Sequence, residues 1–167
     1  MNSAVVDVVV GGAMVLAIAY LIPFIIVELL VRKGTPSEER AAQKRFRLAS
    51  FGSSLLLSLV WVGIIQLWNG HLEFSHVQVG LACASALGLI LWLVGLGKRW
   101  GLTDRGTLLL NTVYGALAPG LVFCVYGAAT DSTGMFGVGV LFVAAGGLFG
   151  VFVFSWGALF LRRLGLS

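Results

Sequence analysis

The chain has 167 residues, of which 59% are hydrophobic and 11% charged, and its mean hydropathy is +1.00. Ordinary soluble domains are about a quarter charged and less than half apolar, so this composition excludes them, and it excludes an intrinsically disordered chain as well. With two Cys there is no disulfide framework to hold a small secreted module together. One integral membrane domain over residues 1–167 is what remains.

A membrane-crossing helix needs about 20 mostly apolar residues. Five stretches meet that requirement in chain order, at about 8–31, 46–68, 77–96, 107–128 and 135–161. The expected fold class is therefore all-α: a bundle of five transmembrane helices. Alternating barrel strands are excluded, because the apolar runs are too long and too continuous.

Charge placement orients the bundle. Every Lys and Arg falls in Arg32–Arg47, Lys98–Arg105 or Arg162–Arg163, while Asp7, Glu73 and Asp131 lie on the other side. Cytoplasmic loops carry the excess of Lys and Arg, so the expectation is an N-terminus outside, a C-terminus in the cytoplasm, and a multi-pass protein of a bacterial or archaeal plasma membrane. The net charge of +4 and pI near 9.5 then follow from topology and attraction to anionic headgroups. No basic face is interleaved with stacking aromatics, so no nucleic-acid partner is expected. The first residues, MNSAVVDVVV, lack the positive start of a signal peptide, and the first helix is expected to be retained.

Between the first two helices, RKGTPSEERAAQKRFR is the longest polar segment. Gly34 and Pro36 stop the first helix, and Thr35 or Ser37 is placed to cap a second start. Glu38 and Glu39 in its first turn precede Lys44, Arg45 and Arg47, an order that suits the helix dipole. A short cytoplasmic extension of the second helix is the expected result. The connection GKRWGLTDRG echoes this pattern after the third helix. An internal repeat of helices 1–2 and 3–4 would produce the echo, as would similar demands on two loops of one membrane side.

Ionisable groups inside a membrane are functional candidates by default. Glu28 qualifies, with Arg32 at i+4 as its expected partner and Pro23 a little over one turn before it as a source of a freed carbonyl. Ser50, Ser54 and Ser58 make a small-polar stripe along the second helix, with Gln66 two turns on. Asn111 is the buried amide of the fourth helix, placed to meet that stripe or Glu28. These groups suit a polar path, but they suit interhelical hydrogen bonding better. Gly80, Ala84 and Gly88 on the third helix, and Gly146 and Gly150 on the fifth, have the four-residue spacing that allows close helix packing.

His71, Glu73 and His76 lack the spacing of a zinc helix, and no metal is expected. Cys83 and Cys124 read as small packing residues, and the five Trp as interfacial anchors. With no nucleophile motif, phosphate loop or dinucleotide fingerprint, neither enzymatic activity nor a cofactor is expected. Two readings remain. The favoured one is a structural or accessory subunit packing with other membrane chains. The alternative is a protomer of a small oligomeric channel or carrier, its path lined by Glu28, Asn111 and the serine stripe.

Overall fold

The computed structural model describes residues 3–33, 37–69, 76–130 and 136–165. All regular structure among them is helical, in five elements: α1 (Ser3–Lys33), α2 (Ser37–Asn69), α3 (His76–Arg99), α4 (Asp104–Thr130) and α5 (Phe136–Arg163). Each expected span lies within one helix apart from Met135, which is outside the described residues, and α2 carries the polar extension from Ser37 onward. Four segments are long and apolar enough to cross a membrane: Glu39–Ile64, His76–Arg99, Asp104–Tyr126 and Leu141–Arg163. That fits a membrane protein, as do the many exposed Leu, Ile and Phe side chains on its outer faces.

α4 lies at the centre and packs against all four other helices. Around it, α1 neighbours α5, α5 neighbours α3, and α3 neighbours α2. Among the described residues the α1 and α2 backbones do not approach each other closely, although the helices are consecutive in the chain, and side chains alone reach across. The ring around α4 therefore has a gap on that side. Since α3 and α4 do pack together, the two helix pairs of the suspected repeat are not built alike.

Three apolar clusters hold the bundle. Val27, Val31, Phe46, Leu93, Leu102, Leu110 and Val113 gather α1 to α4 at the Arg-rich end. Tyr20, Ala116 and Ala144 join α1, α4 and α5, and Ile90, Val94, Ala158 and Leu159 join α3 to α5. The Tyr20 hydroxyl donates to the Ala116 carbonyl at 2.6 Å. One residue before Ala116, the Gly115 carbonyl is the one that Pro119, lacking an N–H, leaves without its helical donor.

The α3–α4 connection is a tight double cap. Gly101 takes φ +74°, with Gly101 N donating to Lys98 O and Leu102 N to Gly97 O, both at 2.9 Å. Those two bonds are the ones a left-handed glycine makes when it closes a helix. Leu102 then buries itself, and Thr103 caps α4 by accepting from Gly106 N at 3.1 Å. The analogous stop expected at residues 34–36 lies outside the described residues, as do the capping side chains of Thr35 and Ser37.

Candidate functional site

Buried polar groups of the bundle collect at two levels. Nearer the Arg-rich end, Glu28 of α1 is only 13% exposed in its side chain. Its Oε2 accepts from Arg47 Nη2 of α2 at 2.9 Å and its Oε1 accepts from the Tyr114 hydroxyl of α4 at 3.0 Å. The expected i+4 partner, Arg32, is 3.6 Å away and mostly exposed, so it is the weakest of the three contacts. Glu28 is thus tied across the gap to two other helices rather than to its own next turn. Phe24 lies edge-on to the Tyr114 ring, 5.8 Å between centroids, and steadies that hydroxyl.

One helical turn away, Ser50 of α2 donates to Asn111 Oδ1 at 2.9 Å, and Asn111 Nδ2 donates to Ser155 Oγ of α5 at 3.0 Å. All three side chains are fully buried. The chain of bonds crosses three helices and uses both ends of the amide, which suits a site where an unpaired polar group is costly.

The rest of the serine stripe divides. Ser54 is buried, and the Ser58 hydroxyl donates back to the Ser54 carbonyl at 2.8 Å. Both border a crevice of about 270 Å³ between α2, α3 and α4, which reaches Asn111 and Gly115 and has largely apolar walls. Trp61 stands at this crevice and its Nε1 donates to Ser85 Oγ at 2.9 Å, linking α2 to α3. The side chain of Gln66 lies outside the described residues.

The small-residue rows face away from the bundle. Gly80, Ala84 and Gly88 are exposed, and so is Gly146. A methyl group added at Gly80, Gly88, Gly146 or Gly150 would meet nothing within 4 Å. The glycines that do mediate close packing within the chain are others. A Cβ on Gly97 would fall 2.5 Å from Thr107 Oγ1, and one on Gly120 would fall 2.6 Å from the Tyr20 hydroxyl.

Further ties close the Arg-rich end. Glu39 Oε1 accepts from Thr103 N at 3.1 Å, docking the α2 extension on the α3–α4 turn. Asp104 Oδ2 accepts from Arg163 Nε at 3.0 Å and Nη2 at 2.8 Å, joining α4 to the end of α5. Among the described residues no cluster of His, Cys, Asp and Glu suits a metal ion; His71 and Glu73 lie outside them. Cys83 is exposed on α3 and Cys124 half-buried on α4.

Sequence reasoning does not single out Arg47, Tyr114, Tyr20 or Ser155. Along the chain Arg47 reads as one of the loop charges, although it follows Phe46 at the start of an expected span. Ser155 carries the better signal, being an isolated hydroxyl in an otherwise apolar run. In comparisons with known proteins, no family model, curated protein or solved structure matches the chain.

Proposed function

We propose that this chain is a structural or accessory subunit of a membrane complex, crossing the bilayer five times with its N-terminus outside and its Arg-rich end in the cytoplasm. α1 supplies the fifth span. Its 31 residues extend about 46 Å at 1.5 Å per residue, and Ile18, Leu21, Ile22, Ile25, Ile26, Leu29 and Leu30 form an exposed apolar face. The orientation rests on the one-sided Lys and Arg. In this reading the chain is not an enzyme, and its business is helix packing.

The outward rows of small residues carry the proposal. Gly80, Ala84 and Gly88 on α3 and Gly146 and Gly150 on α5 have the spacing of close helix contacts, yet a Cβ at any of their four glycines meets open space. The buried polar groups meanwhile are spent on joining helices: Glu28 on Arg47 and Tyr114, Asn111 on Ser50 and Ser155. Extraction of the native membrane in mild detergent, followed by sizing and mass spectrometry, tests the reading. A fixed stoichiometry with heterologous subunits is expected, and it is lost in the Gly146→Leu/Gly150→Leu variant or the Gly80→Leu/Gly88→Leu variant. A chain that runs as a monomer overturns it.

A second reading, an oligomeric channel or carrier protomer, draws on the crevice beside Ser54, Ser58 and Asn111. In proteoliposomes, Glu28→Gln and Asn111→Leu would then abolish ion flux while leaving assembly intact. Unchanged assembly with no flux in the parent protein removes this alternative.

A further inference from the structure

The gap between α1 and α2 holds a cavity of about 370 Å³ lined by Arg32, Arg40, Gln43 and Arg47. Three guanidinium groups border it, and among the described residues the carboxylate paired with them is Glu28. Two positive charges are left over. Gln43 is buried at the wall, 4% exposed, whereas Arg32 and Arg40 are exposed at the mouth. Arg47 gives Nη2 to Glu28, but its Nε is buried and has no hydrogen-bond partner among the described residues. A buried guanidinium N–H without an acceptor is costly, and the two positive charges in excess of Glu28 favour an anion in the cavity.

Guanidinium forks match phosphate oxygens in geometry and charge. Basic pockets between transmembrane helices on the cytoplasmic side take anionic lipid headgroups. Leu29, one turn before Arg32 on α1, and Leu48, next to Arg47 on α2, are exposed apolar side chains. A charged pocket whose arginines neighbour exposed apolar side chains fits a molecule that has an anionic head and hydrocarbon tails.

We propose that the α1–α2 gap is a phosphate-binding site, in which Arg32, Arg40 and Arg47 hold a phosphate group with Glu28 fixing the Arg47 fork. The phosphate belongs either to an anionic phospholipid or to a soluble phosphate, and both share this chemistry. The site is independent of whether the chain is an accessory subunit or a carrier.

The test uses the full chain in mild detergent, titrated with phosphatidylglycerol and with phosphatidylcholine and followed by native mass spectrometry, and separately with inorganic phosphate followed by thermal shift. Arg40→Gln and Arg32→Gln alter exposed side chains and leave the Glu28–Arg47 pair in place. Phosphatidylglycerol affinity is expected to fall about five-fold in each and about thirty-fold in the double variant, from a contribution near 1 kcal/mol per basic residue. Lys98→Gln/Arg99→Gln, at the end of α3, is expected to leave it within about two-fold if the cavity rather than general charge binds the lipid. Phosphatidylglycerol binding that inorganic phosphate does not displace identifies the lipid as the source. Displacement by phosphate, with a phosphate thermal shift lost in the double variant, identifies a soluble one. Equal phosphatidylglycerol binding by parent and double variant, or an equal loss in the α3 control, overturns the site.

Discussion

α3 and α4 are adjacent helices of similar length, 24 and 27 residues, and α3 is the more apolar. Yet α4 is the buried one. Thr107, Leu110, Asn111, Val113, Ala116 and Ala118 of α4 are inaccessible or nearly so, while Val77, Leu81, Leu91 and Trp92 of α3 lie open. In water the order would be reversed, because apolar area drives burial there. In a bilayer the surroundings are as apolar as Leu, so a Leu gains little from leaving lipid for protein. An Asn gains a partner, and a Gly or Ala gains close van der Waals contact. The less apolar helix therefore takes the centre, and the more apolar one faces lipid or another chain.

Substitutions at the two kinds of position test this contrast, and the largest effect is expected where α3 touches α4. Gly97 lies at that crossing, with Thr107 in the place a side chain would occupy. Gly97→Ala forces Thr107, itself buried, out of position. Overpacking of this kind costs about 1–3 kcal/mol, read as a lowered midpoint of thermal or detergent-induced unfolding. A Gly97→Ala protein as stable as the parent would mean the two helices separate easily and that α4 is not fixed by its neighbours.

Asn111→Leu comes next. It removes both bonds of the amide while keeping a side chain of similar size, so Ser50 and Ser155 lose their partner across α2, α4 and α5. Membrane double-mutant cycles place each such bond below about 2 kcal/mol and typically near 0.6. A net loss of about 1 kcal/mol is expected. Each serine hydroxyl limits the loss by turning back to a carbonyl of its own helix, as Ser58 already does. A cycle with Ser50→Ala isolates the pair; a coupling of zero would deny the chain of bonds any role in joining α2 to α4.

The helices and the signals at their ends were legible because apolar length and Gly, Pro and charge placement are local properties. The GLT stretch of the α3–α4 turn shows this: Gly101 closes α3 and the Thr103 hydroxyl caps α4, each within a few residues of itself. Which helix is central was not legible, because it depends on what each helix meets across space. Glu28 illustrates the limit. Along the chain its obvious partner is Arg32 at i+4; in the fold Arg47 and Tyr114, 19 and 86 residues away, reach it better. The spacing of Gly80, Ala84 and Gly88 was visible, but spacing has no direction, and other glycines, Gly97 and Gly120 most tightly, meet neighbours inside the chain.

A smaller effect is expected where the bundle is tied at its exposed rim. Asp104 and Arg163 are 45% and 70% exposed in their side chains, and surface pairs of this kind contribute about 0–1 kcal/mol. Asp104→Asn is expected to lower stability by no more than that. The difference should shrink further in high salt, since an exposed pair is screened. A larger, salt-insensitive loss would make the α4–α5 rim as important as the buried centre.

The smallest effect belongs to the outward face of α3. Gly88→Ala adds a methyl group with open space around it, and in a helix interior alanine is favoured over glycine by about 1 kcal/mol in water. The isolated protein should therefore unfold within about 0.5 kcal/mol of the parent, or slightly later. Gly88→Leu should be tolerated as well, because the added carbons project toward lipid. Inside a complex the same leucine holds two backbones apart and association should fall. Stability unchanged with association lost assigns the α3 face to a partner helix. Stability lost in the isolated chain would mean that α3 packs on that face after all, and the contrast between α3 and α4 would no longer stand.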